Sequence, residues 1–245
     1  MSARIVCLVP SITELLCDLR LADQLVGRTG FCIHPRETVR DIPKVGGTKD
    51  VNLDKIRALA PTHTIVNVDE NTRETAEALR EFIPEVIVTH PIDPRDNLGL
   101  YRQLGEAFDR HREAQALCAS FEDAYEKITA AQRPPLDVLY LIWREPWMAI
   151  ARDTYISQML ALVNWHTLPA AADERYPKVD LASYAGRVDR VLLSSEPFHF
   201  KRKHVTPAAR AAGAPASLID GEMTSWYGSR AINGLRYLAD YADTT

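Results

Sequence analysis

Apolar and polar positions divide the chain into three stretches with different periods. In the first 95 residues short apolar runs alternate with amphipathic segments. Residues 4–9 form a continuous apolar run, as in a strand buried on both faces. Pro10 ends it. Ser11-Ile12-Thr13-Glu14 then matches a capping box, with Ser11 as N-cap and Glu14 at N3, ahead of a helix carrying Leu15, Leu16 and Leu19. Residues 25–27 read as a short strand. Residues 31–48 read as loop, with Pro35, Pro43 and Gly46-Gly47, and Asn52 caps a helix through Ala58. A strand at 62–68, a helix at 73–82 and a strand at 85–89 complete the order β-α-β-α-β-α-β. That order predicts a small parallel sheet with helices on its faces.

Residues 96–132 behave differently. Leu98, Tyr101, Leu104, Phe108, Leu117, Phe121, Tyr125 and Ile128 recur at helical spacing, with alanines filling the middle. No proline lies between Pro94 and Pro134, Asp96 can act as N-cap, and Arg133-Pro134-Pro135 stops the run. The pattern predicts one unbroken helix of roughly 50 Å. Its charges exclude a membrane span and its alanine centre excludes a coiled-coil seam, so it reads as a strut between two bodies. Such a strut would bend little, and closure on a ligand would be small.

Beyond it the first pattern restarts, with strands at 137–143, 148–151, 190–194 and 216–219 and helical segments at 154–163, 180–185, 206–211 and 229–242. A faint repeat links the halves: Leu53-x-x-Ile56 leads to Thr64-Ile65-Val66-Asn67, and Leu181-x-x-Tyr184 leads at the same spacing to Leu192-Leu193-Ser194-Ser195. The expected architecture is α/β: two small parallel-sheet lobes (1–95 and 133–245) joined by one long helix (96–132), with a ligand cleft between the lobes.

Composition adds limits. With 46% apolar and 25% charged residues the chain can bury a sizeable core, and a net charge of −4 argues against nucleic acid as partner. Cys7, Cys17, Cys32 and Cys118 are widely spaced and imply no disulfide framework. The first residues show no basic region, apolar core or cleavage site of an export signal. The sequence as it stands therefore points to the cytoplasm, or to the periplasm if a leader has been removed.

In open parallel sheets ligands bind beyond the carboxyl ends of the strands, and unusual residues collect at those places. They are Pro10-Ser11, Asp69-Glu70-Asn71, the segment Trp143-Arg144-Glu145-Pro146-Trp147, the loop from Ser195 and Glu196 to Phe200, and Trp226-Tyr227 with Arg230. Loop tryptophans expose large apolar surfaces unless something covers them. Either Trp143, Trp147, Trp226 and Tyr227 line a cleft for a large flat or greasy ligand, or these rings pack across the junction of the halves. Arg230 could hold a ligand carboxylate or phosphate, or pair with Glu222 or Asp220. Glu70 and Asn71 read first as helix-start residues and second as ligand contacts. Cys32-Ile33-His34, and His199 with His204, are weak metal candidates that match no closed zinc pattern; a solvated basic loop explains 199–204 at least as well. No nucleophile elbow, HExxH, Walker loop or dinucleotide fingerprint is present, so the chain reads as a binder with no catalytic residue to assign.

The opening Arg4-Ile5-Val6-Cys7-Leu8-Val9-Pro10-Ser11-Ile12-Thr13-Glu14-Leu15-Leu16, together with Lys44-Val45-Gly46-Gly47-Thr48-Lys49, Leu53-x-x-Ile56-x-x-Leu59-x-Pro61 and Ser225-Trp226-Tyr227-Gly228-Ser229-Arg230, resembles the helical-backbone (class III) substrate-binding proteins of metal-chelate ABC importers. The cobalamin-binding branch is the most similar. The resemblance implies two α/β lobes on one long helix, a corrinoid, haem, siderophore or related metal chelate as ligand, no cofactor of its own, a monomer, and delivery to an ABC permease. It also implies an acidic residue on each lobe that docks to permease arginines; Glu14, Glu70 and Glu174 are candidates. Family members work outside the cytoplasm. Without an export signal, the alternative is a cytoplasmic relative that handles or senses corrinoids or metal chelates, an enzyme on the same scaffold, or an interaction module.

Overall fold

The computed structural model describes residues 2–244 and divides into two compact units. The first comprises Met1–Pro91, Arg95–Ser120 and Tyr227–Arg230; the second comprises Ile92–Pro94, Phe121–Trp226 and Ala231–Thr245. Along the chain the units are discontinuous, since the segment 227–230 belongs to the first unit.

In the first unit the N-terminal apolar run becomes β1 (Ile5–Cys7), followed by α1 (Pro10–Asp18), β2 (Leu25–Arg28), α2 (Arg36–Val39), α3 (Leu53–Ala58), β3 (His63–Asn67), α4 (Arg73–Arg80) and β4 (Glu85–Thr89). The strands pair in parallel in the order β2-β1-β3-β4. All four carboxyl ends therefore share one edge, and the segments following the strands leave from it. Val6, Leu8 and Val66 cluster with Ile56, Ala76 and Leu79 from α3 and α4. The two-residue period of the strands meets the helical period of those segments there, and each fully buried aliphatic side chain contributes about 1.5–3 kcal/mol.

One helix cap matches its reading: Asn52 accepts from the Lys55 N–H. At α4 the cap is Thr72, which accepts from the Thr75 N–H, and Glu70 and Asn71, read as helix-start residues, lie in the turn before it. The capping box at the first helix is corrected. Val9 is the cap, Pro10 occupies the first turn and no side chain caps the helix. Proline's fixed φ and missing N–H suit that position, so the helix begins one residue before Ser11 can cap it.

The single long helix is also corrected. The chain forms α5 (Asp96–Ala107) and α6 (His111–Ala130), and Arg95 rather than Asp96 caps the first. Asp109 takes φ +54°, the Arg110 N–H reaches the Gly105 carbonyl at 2.7 Å and the Asp109 N–H reaches Glu106 at 3.5 Å. That is the Schellman pattern, with aspartate in the left-handed position usually held by glycine. A Cβ on Gly105 would lie 2.6 Å from the Ala114 Cβ, so the start of α6 packs closely on α5. The expected rigid strut rested on a continuity the chain does not have. The longer piece, α6, runs about 30 Å.

The second unit holds β5 (Leu136–Trp143), β6 (Met148–Ala149), α7 (Tyr155–Ala161), β7 (Trp165–Thr167), a 3-10 turn at Leu181–Tyr184, β8 (Arg190–Ser194), α8 (Arg202–Ala212), β9 (Ala216–Ile219), α9 (Gly221–Ser225) and α10 (Arg230–Asp243). Its sheet runs β6-β5-β8-β9, with β7 also paired to β5; β6 alone is antiparallel. Leu139, Leu141, Val191 and Leu193 cluster with Tyr184, Ala208 and Ala212. On β5 the intervening Tyr140 donates to Ser194 Oγ at 3.0 Å and lies 2.7 Å from Thr224 Oγ1. The repeat read in the sequence is present in both units: α3 leads to β3, and the Leu181–Tyr184 turn leads to β8. Among the described residues no helix is long and apolar enough to cross a membrane.

Candidate functional site

The carboxyl edge of the first sheet carries its unusual exposure. Phe31 is 62% exposed, Ile33 49% and Val68 51%, and all three follow strands at that edge. Three large apolar side chains facing water on one rim form a surface that gains by being covered. None was among the residues expected; the signal was a large apolar residue inside a polar loop. Beside them Lys49 Nζ donates to the Asp69 carbonyl at 2.7 Å and shapes the 69–71 turn.

The residues expected at this edge hold it together from beneath. Pro10 and Ser11 are buried at the start of α1. Asn71 is 5% exposed and uses both ends of its amide: Oδ1 accepts from the Asn67 N–H at 2.9 Å, and Nδ2 donates to the Thr48 carbonyl at 2.9 Å. It fixes the turn rather than facing out. Glu70 is half-buried in that turn. Tyr227 is buried, and burial followed by the Glu70 carboxylate pushes its phenol well above the ordinary range.

Arg230 has a partner that the sequence did not suggest. Its guanidinium meets Glu14 at 2.7 and 2.8 Å. The two side chains are 11% and 18% exposed, so both the proposed ligand cation and the proposed docking carboxylate are engaged inside the fold. Nearby, Gly228 donates to Asn97 Oδ1 at 2.6 Å and accepts from Tyr101 Oη at 2.8 Å. Glu174, the other docking candidate, is exposed.

At the carboxyl edge of the second sheet the rings separate into two groups. Trp143 is 41% exposed, while Trp226 is 9% exposed and donates Nε1–H to Glu196 at 2.9 Å. The polar tip that could have met a ligand is satisfied by a neighbouring loop, and Glu196 is engaged by the same bond. Trp147 is half-buried and stacks on Phe200 at 6.0 Å. Trp143 meets Phe198 edge-on at 5.6 Å, and Phe198 meets Phe200 at 4.7 Å. Of the aromatic residues expected to line a cleft, Trp143 is the one the unit presents to solvent.

The metal candidates do not converge. Cys32 is fully buried, its Sγ 3.1 Å from Thr29 Oγ1, and burial pushes its thiol up. A buried, protonated thiol is a poor metal ligand. His34 is half-exposed, and His199 is exposed with Nδ1 3.4 Å from the Ser195 carbonyl. His204 is 5% exposed, and its Nδ1 accepts from the Lys201 N–H at 2.9 Å, capping α8. Among the described residues no group of three or more His, Cys, Asp and Glu side chains is placed to hold a metal ion.

One groove lies elsewhere in the first unit. It has a volume of about 440 Å³ and is lined by His63, Glu85, Ile87, Gln103, Glu106 and Ala107. His63 and Glu85 begin their strands, so it opens at the amino edge.

Three comparisons bear on this geometry. The sequence model of the family described as periplasmic binding protein matches residues 5–184. The ABC transporter substrate-binding lipoprotein YvrC of Bacillus subtilis (strain 168) is 27% identical over 181 residues, 70% of this chain and 56% of that protein. The chain thus spans little more than half the length of that relative. Among solved structures, the periplasmic vitamin B12 binding protein BtuF of Vibrio cholerae superposes with TM-score 0.85 at 16% identity, over 99% of this chain and 97% of that one. The periplasmic heme-binding protein RhuT from Roseiflexus sp. RS-1 superposes with TM-score 0.82 at 20% identity, over 99% and 100%. At those identities the likeness shows the fold.

Proposed function

The chain belongs to the periplasmic binding protein family, and on that premise we propose that it binds a metal chelate of the corrinoid or haem class and delivers it to an ABC permease. The candidate contact residues are those of the strand ends and loops at the carboxyl edge of each sheet taken by itself: exposed Trp143 with half-buried Phe198 in the second unit, and exposed Phe31 with Val68 in the first. Pro10, Ser11, Asn71, Tyr227 and Arg230 support those loops from below. Ligand is carried without being transformed, and the protein works outside the cytoplasmic membrane.

The observation that carries this reading is the placement of exposed apolar side chains. In each unit a large apolar residue faces solvent at the edge where a parallel sheet offers its loops to a ligand: Trp143 at 41% exposure in the second and Phe31 at 62% in the first. A flat macrocycle carrying a metal covers such surfaces well, and two fold relatives are described as binding vitamin B12 and heme.

The test is titration of tryptophan fluorescence with cobalamin, cobinamide, haem and ferric siderophores. Saturable quenching by a corrinoid or haem is expected. A flat response to all four classes contradicts the reading.

A further inference from the structure

The second unit concentrates positive charge in a chain whose net charge is −4. Within residues 143–147 and 195–203, the cations Arg144, Lys201, Arg202 and Lys203 stand against the carboxylates Glu145 and Glu196. Glu196 accepts the Trp226 N–H, and Glu145 lies 3.4 Å from Arg144 with its own side chain 80% exposed. Lys201, Arg202 and Lys203, at the start of α8, are exposed.

Of these cations, Arg144 is packed on the ring cluster, and the Lys201 backbone is tied to it. Arg144 lies over Trp147 at 5.7 Å, Trp147 stacks on Phe200, and Phe200 meets His204 edge-on at 5.6 Å. His204 accepts from the Lys201 backbone and meets Phe198, which meets Trp143. Arg144, Lys201 and Lys203 all act on the His204 ring and, after burial, hold its pKa below the ordinary value. Cations from the 143–147 loop and from the start of α8 thus act on one ring, beside the tryptophan the unit exposes. A freely solvated basic stretch would spread its like charges. Gathering them on a packed aromatic frame raises the local potential for an anion.

Resting on the chelate reading above, we infer that this edge is an anion-reading subsite: Arg144, Lys201 and Lys203 take a carboxylate or phosphate on the rim of the ligand, while Trp143 and Phe198 take its flat body. The ligand is then an amphiphile with an acidic periphery. Neither a neutral greasy ligand nor a fully hydrated anion would use both parts.

Two ligand pairs test this and separate the sources of charge. Ferric protoporphyrin and its dimethyl ester differ in free carboxylates; cyanocobalamin and dicyanocobinamide differ in the nucleotide arm with its phosphodiester. For the pair that binds, the anionic member should bind about 10-fold tighter than its counterpart at low salt, and added salt should shrink the gap. The double variant Lys201→Gln/Lys203→Gln, checked for folding by its melting curve, should erase most of that gap. Equal affinities within the pair, or a variant that weakens both members alike, overturns the subsite and leaves the chelate reading standing. Saturable binding of neither pair overturns both.

Discussion

Arg230 and Glu14 are 216 residues apart in sequence and form a two-point ion pair of 2.7 and 2.8 Å that is largely closed to water. The pair attaches the 227–230 segment to α1 within the first unit. Removing one member leaves the other charge with poor solvation, so Glu14→Gln or Arg230→Met should cost about 2–4 kcal/mol in urea unfolding. Replacing both with leucine should recover part of that loss. A ligand-contact role for Arg230 predicts a different outcome: lost affinity with unchanged stability.

Gly228 holds the same segment in place. Its φ of +80° is strained for other residues, and an added Cβ would lie 3.1 Å from the Ser11 carbonyl oxygen. Gly228→Ala should destabilise the protein by about 1–3 kcal/mol, visible as a lower denaturation midpoint. The first turn of α1 around Ser11 should loosen with it, measurable as faster amide exchange there.

Asp109 gives an opposite sign. It stands at φ +54° at the end of α5. Asp109→Gly relieves the left-handed strain and should stabilise by about 0.5–1 kcal/mol. Were residues 96–132 one helix, glycine there would destabilise by a similar amount. The sign of the change in urea midpoint decides between the two.

His204 makes stability depend on pH. Burial, then Lys203, Arg144 and Lys201, lower its pKa. The unfolded state therefore binds a proton more readily. The contribution is fully present above the ordinary histidine value of about 6.5 and is lost as pH falls below it. His204→Asn keeps an acceptor for the Lys201 N–H and removes the titration. The wild-type midpoint should fall between pH 6.5 and 5 by more than the midpoint of the variant.

Much of the fold was legible because period and caps agreed. The run at 4–9, the cap Asn52, and the strands around His63 and Arg190 each carried a local signal that packing did not override. The helix break was hidden for a specific reason. A Schellman turn usually shows a glycine, and this one uses Asp109 beside an unremarkable Phe108 and Arg110. The short β7 was missed because Trp165-His166-Thr167 resembles a helix end until β5 is there to pair with it. The edge residues were harder. Position relative to the strands was readable, but exposure was not. Trp226 and Trp143 look alike in sequence, and the carboxylate that accepts the polar edge of the buried one, Glu196, lies 30 residues away. Phe31 and Val68 carry no motif at all.

The central claim is that exposed apolar side chains at the strand ends take a metal chelate. The most direct measurement is calorimetric titration of wild type and Trp143→Ala with the corrinoid or haem that quenches fluorescence. The account predicts saturable one-to-one binding that weakens by about 10-fold or more in the variant, with an unchanged melting curve because Trp143 is 41% exposed. Equal affinity for wild type and variant, or no heat of binding with any chelate, would contradict it.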